Sequence, residues 1–161
     1  MASLRQVVDL LQSTLKPQLF NDYCPNGLQV QGKEQIQRLV TGVTASQALI
    51  DAAINLKADA ILVHHGYFWK GENACVVGMK KNRLKALLMN DISLLAYHLP
   101  LDAHHELGNN VQLAKKLGLG IAEPLYPENP KQVGNIAVLD EPMSAEDFSM
   151  LCERVLGQKP I

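Results

Sequence analysis

The run VTGVTASQALIDAAINLKADAILVHH, residues 40–65, decides the architecture. Its first part is the end of a strand read over IQRLVTGVT (36–44), and Ser46 then stands where a helix N-cap belongs. Leu49, Ile50, Ala53 and Ile54 recur at helical spacing through SQALIDAAINLK (46–57), and DAILVHH (59–65) is a second apolar run. Two strands without polar alternation, separated by a helix of about ten residues, indicate a parallel βαβ unit. Helices must then cover the sheet, because such strands have no solvent face.

The alternation extends in both directions. Upstream, Leu4, Val7, Val8, Leu11 and Leu15 predict an amphipathic helix behind Ser3, and NDYCPNGLQVQG (21–32) reads as turn chemistry. Downstream, NRLKALLMN (82–90) reads as a helix, ISLLAYHL (92–99) as a strand and NNVQLAKKLGLG (109–120) as a helix closed by glycine. EPLYPENPKQ (123–132) has the composition of a linker, and one strand and one helix follow it, the helix carrying Ser144 and Asp147 in capping-box positions. The expected organisation is a first α/β lobe over 1–122, a linker over 123–132 and the beginning of a second, incomplete lobe over 133–161. The fold class is α/β, a mostly parallel sheet flanked by helices, as the first half of a two-lobed fold.

The 161 residues are 47% hydrophobic, enough for an ordinary core. Fifteen basic residues against sixteen acidic ones give a formal charge of -1, which supplies no field for nucleic acid or an anionic membrane. Cys24, Cys75 and Cys152 form no CxxC pair, Arg5 and Asp9 interrupt the N-terminal apolar run, and no window approaches a membrane span. A reduced, cytoplasmic location is the expectation.

All five histidines lie between positions 64 and 105. His64 and His65 close one strand and His98 closes the next, and functional groups of a parallel sheet gather beyond such ends. Asp102 follows in HLPLD, where Pro100 argues for a loop. Adjacent strand residues point to opposite faces, so His64 and His65 are expected to serve different ions rather than one. Imidazoles with a carboxylate suit Zn, Mn, Fe or Ni. A pair of such ions activates water for hydrolysis or clamps a phosphate. The histidine pair alone reads more readily as packing than as a metal site; with His98 and Asp102 beside it, metal ligation becomes an equal reading. His104, His105 and Glu106 read as exposed loop. Tyr67, Trp69 and Lys70, in YFWK, could meet a flat or phosphorylated substrate, or could belong to a packed loop or a subunit contact. Motifs of serine nucleophiles, P-loops, dinucleotide folds and HExxH zinc enzymes are missing.

PNGLQVQG (25–32), VTGVTASQALIDAA (40–53), DAILVHHGYFWKG (59–71) and YHLPLDAHHELGNN (97–110), in this order, resemble the GTP cyclohydrolase I type 2 homologues, the NGG-interacting-factor-like dinuclear metal proteins, and most closely their proteobacterial members. The resemblance implies two similar α/β halves, two divalent metal ions between them and a toroidal homohexamer. It also implies His64 and His65 on different metals, Asp102 as a further ligand and His98 as an additional ligand or a ligand's support. A small-molecule or nucleotide substrate and metal-dependent hydrolysis follow from it, with a non-catalytic ring that binds a ligand or partner as the alternative. The family's H-x-x-x-E ligand stretch has no counterpart here, since no histidine follows His105. A truncated chain with an incomplete site, binding metal weakly or at one position, is therefore expected.

Overall fold

A computed structural model describes residues 1–129 and 133–161, without the side chain of Ala122. Residues 130–132, at the end of the expected linker, lie outside the described residues. The contacts divide the chain into two units, Met1–Pro100 and Leu101–Ile161.

The first unit is a four-stranded sheet with helices packed on it. In chain order come β1 (Ala2–Ser3), α1 (Leu4–Leu15), β2 (Gly27–Val30), β3 (Gln35–Ile36), β4 (Leu39–Thr44), α2 (Gln47–Asn55), β5 (Ala60–His65), α3 (Gly78–Met89) and β6 (Ser93–Ala96). The sheet order is β2-β6-β5-β4, with β4, β5 and β6 parallel and β2 antiparallel to β6. β1 and β3 form a separate antiparallel pair. The βαβ reading of residues 40–65 thus holds: Ser46 caps α2 by accepting from the Leu49 amide, and Ile50 and Ala53 are buried. They meet Ile61 and Val63 of β5, Leu87 of α3 and Leu94 and Ala96 of β6 in one core cluster. Every residue of β6 is buried, as a strand covered on both faces must be. At α1, Ser3 and Gln6 form a reciprocal capping box.

Three local expectations are corrected. The stretch 21–32 contains a strand, β2, whose ladder to β6 is irregular between Leu28 and Val30. Its glycines and asparagine mask it, because strand signals in four residues are weaker than turn signals around them. HLPLD is not a loop: Leu99–Asp102 forms a single helical turn, α4, with Pro100 in the first turn, where its missing N–H loses no intrahelical bond. β6 stops at Ala96, so His98 lies just past the strand.

In the second unit, α5 (Asn109–Leu117) is ended by Gly118 in the left-handed conformation, φ 71°. β7 (Gly120–Pro124) and β8 (Asn135–Val138) pair antiparallel. α6 (Ala145–Leu156) starts at Ser144, whose side chain accepts from the Asp147 amide, and none of its residues is buried. No helix among the described residues is long and apolar enough to cross a membrane.

Candidate metal centre

The C-terminal ends of β5 and β6 bring three imidazoles together. Ring centroids lie 4.4 Å apart for His64 and His65, 5.0 Å for His64 and His98, and 5.6 Å for His65 and His98. One nitrogen from each lies within 4.8 Å of the others. Opposite-face alternation therefore does not keep His64 from His65. The pleat directs Cβ atoms, while an imidazole turns on two further torsions and at a strand terminus can swing back beyond the backbone.

Hydrogen bonds set the proton on two of the three rings. His64 Nδ1 lies 3.1 Å from the Tyr97 carbonyl oxygen, an obligate acceptor, so that nitrogen carries the hydrogen. His98 Nδ1 lies 2.8 Å from Asp22 Oδ1. The Asp22 side chain is only 3% exposed. Burial opposes its charge, yet hydrogen bonds from Asn26, His98, Leu99 and Tyr23 prevail and hold its pKa below the ordinary carboxylate value. His98 thus donates from Nδ1 to an anion. In both rings Nε2 is left as the lone-pair nitrogen, the form in which imidazole binds a metal. His65 Nδ1 lies 3.3 Å from Thr44 Oγ1, a hydroxyl that both donates and accepts, so its tautomer is not fixed by that contact.

A brace from residues 22–29 holds both turns that carry the histidines. Asn26 donates from Nδ2 to Asp22 and accepts the His98 amide at 2.7 Å, while Asp22 accepts the Leu99 amide at 2.9 Å. Gln29 accepts the Tyr67 amide at 2.7 Å and donates to the carbonyls of Tyr67 and Pro25. Gly66 lies under this brace: a Cβ there would stand 2.2 Å from Gln29 Oε1 and 2.6 Å from the Ala96 Cβ. Sequence reasoning did not single out Asp22, Asn26, Gln29 or Thr44. For Asp22, Asn26 and Gln29 the only signal was their density in NDYCPNGLQ, which reads equally as a surface turn, and Thr44 at the end of β4 had none.

The aromatic stretch divides by role. Tyr67 is buried, its hydroxyl donates to the Ala45 carbonyl at 2.7 Å, and burial pushes its pKa up to about 12. Trp69 donates from its indole to the Gly66 carbonyl and places its ring edge-on to His98, with centroids 5.0 Å apart. Lys70 is exposed, with its amide donating to the Tyr23 carbonyl. Asp102 closes α4 in the second unit and accepts from Asn109 Nδ2 at 2.8 Å. Asp22, Cys24 and His98 make a second group with possible ligand atoms close together. Its chemistry is poor for a cation: burial, then the Asp22 charge, push the buried Cys24 thiol up to about 11, and four donors already occupy the carboxylate.

The donor chemistry of His64, His65 and His98 fits a divalent cation. A profile of the Duf34/NIF3 (NGG1p interacting factor 3) family matches residues 2–161. The chain belongs to this family. It is 57% identical over 159 residues to a Pseudomonas aeruginosa protein named GTP cyclohydrolase 1 type 2 homolog, covering 99% of this chain and 63% of the relative. With a protein of the same name from Escherichia coli it shares 52% identity over 159 residues, covering 97% of this chain and 61% of the relative. The solved structure of protein ybgI, of unknown function, superposes with a TM-score of 0.93 at 49% identity, covering 99% of this chain and 62% of that one. A Thermus thermophilus structure gives a TM-score of 0.86 at 34% identity, with 99% and 63% covered. The chain therefore spans less than two thirds of the length of these relatives.

Proposed function

We propose that this chain is the metal-binding part of a metal-dependent hydrolase, in which His64, His65 and His98 hold a divalent cation. The supporting observation is the convergence of three imidazoles, two of which have Nδ1 committed to an acceptor. Bound there, a zinc-like ion would supply Lewis acidity and lower the pKa of a coordinated water. The chain's own residues do the rest. The Tyr97 carbonyl and Asp22 hold two rings in their metal-accepting tautomers, and the Asn26 and Gln29 amides keep both strand exits in register. Trp69 covers one side of His98 and restricts water there. Asp102 is assigned as a further ligand on its place in HLPLD alone.

The family resemblance extends the reading to a second ion, a small-molecule or nucleotide substrate and a toroidal homohexamer for the whole protein. Equilibrium dialysis against zinc, manganese, iron(II) and nickel tests the core of it. The expected result is at least one ion per chain, lost in the H64A variant at unchanged secondary structure. Equal binding by H64A would defeat the assignment.

A further inference from the structure

The Trp69 ring stands 5.0 Å from His98 and 6.0 Å from His65, yet the turn that carries it is fastened from elsewhere, from the first turn of α3. Trp69 and Glu72 close a reciprocal turn. The Glu72 amide donates to the Trp69 carbonyl at 2.9 Å, and Glu72 Oε2 accepts the Trp69 amide at 3.1 Å. The other carboxylate oxygen, Oε1, lies 3.2 Å from Lys80 Nζ. Lys80 also donates to the Asn73 carbonyl at 3.2 Å and stands 5.0 Å from the centroid of the Phe68 ring. Its side chain is only 12% exposed, whereas Lys81 and Lys85 of the same helix are exposed. A lysine withdrawn from water costs free energy unless its charge is met, and here the loop carrying Trp69 meets it at three points. Phe68 shows why the loop needs that anchor: its φ of 65° is left-handed, a conformation that an aromatic residue seldom adopts, so the turn persists only while its surroundings hold it.

We propose that Lys80 and Glu72 form a clamp that positions Trp69, and that Trp69 so held controls what reaches the His98 ring. Glu72 acts through Trp69, which makes it a positioning residue. The inference deepens the metal reading, on which the clamp's purpose rests: an indole wall beside a metal-binding imidazole limits the water and the ligands that approach it. The geometry of the clamp does not depend on an ion. An ion pair that served only to tie the loop to α3 would leave the accessibility of His98 unaffected by its loss.

The test reads that accessibility. Modification of the metal-free chain by diethyl pyrocarbonate, located residue by residue by mass spectrometry, reports how freely each imidazole meets a reagent. In E72A, His98 is expected to react about fivefold faster than in the native chain, the factor equivalent to one net hydrogen bond lost from the closed turn. His105, with 84% of its side chain exposed, keeps its rate and serves as the internal standard. In a W69A background the E72A change is expected to add nothing, because the two act as one unit. K80M, which removes the charge and keeps the alkyl packing, carries the same expectation as E72A and replaces it if that variant does not fold. An unchanged His98 rate in the folded variant, or an equal gain in the W69A background, overturns the proposal. So does the absence of nuclear Overhauser contacts between the Trp69 and His98 rings in the native chain, a measurement that needs no variant. Failure of the metal reading is distinguishable: a native chain that holds no zinc in dialysis, while E72A exposes His98, refutes metal binding and leaves the clamp standing.

Discussion

His64, His65 and His98 form one group of histidines, and His104 with His105 forms another, and the two are built on different principles. In the first group, rings from two strand ends lie 4.4–5.6 Å apart, with the Tyr97 carbonyl behind His64 and the Asp22 carboxylate behind His98. In the second, the rings stack at 4.9 Å with an interplanar angle of 8°. His105 has 84% of its side chain exposed, and His104 Nδ1 accepts from the amides of Glu106 and Leu107. The lone pair of that nitrogen is therefore already used to close a turn. Adjacent histidines do not make a site; a site needs rings that converge and are held from behind.

Deleting one ring from each group should separate them most widely. H98A is expected to lose zinc affinity by more than the about 10–100-fold typical of losing an outer partner, whereas H104A leaves the isotherm unchanged. Calorimetric titration of both variants checks this, and equal losses would erase the distinction.

A smaller effect is expected at Gly66, where the brace is tightest. G66A forces a methyl group against Gln29 and Ala96, so thermal unfolding should show a loss of about 1–3 kcal/mol, the usual range for overpacking. Zinc binding should weaken in parallel, because Gln29 fixes the turn that follows His65. Unaltered stability would mean that the brace is soft.

The first unit also carries a pH-sensitive contact just ahead of β5, at the end of that strand opposite His64 and His65. Asp59 accepts from the amide of Gln37, and also from the amide of Arg38 and from Lys33, and these bonds hold its pKa below the ordinary value. The folded pKa lies below the unfolded one, so this contribution is full above about pH 4 and is lost as pH falls through the folded pKa. Denaturant titrations of native and D59N protein should therefore differ at pH 7 and converge in acid. A constant gap would remove Asp59 as the cause. The smallest effect is assigned to H104A itself, a stability loss of about 1 kcal/mol from two weakened turn hydrogen bonds, visible in the same titrations.

The βαβ core was legible in the sequence because its periodicities are long and unmixed: Ile50 and Ala53 on a helix, Ile61 and Val63 on a strand. β2 was not, since Gly27 and Asn26 speak for a turn and only antiparallel pairing with β6 makes the segment a strand. α4 was hidden by Pro100, whose veto applies to helix interiors and not to first turns. At the site, the three histidines could be named from their strand ends, but their convergence could not, because strand alternation says nothing about ring torsions. Asp22 was invisible for a different reason. It meets His98 across a sequence separation of 76 residues, and no local pattern encodes that pairing.

A zinc titration followed by the five histidine ring systems tests the central claim most directly. The predicted result is that the resonances of His64, His65 and His98 shift together and saturate together, while those of His104 and His105 stay in place. Shifts confined to His104 and His105, or no saturable shift at all, would contradict it.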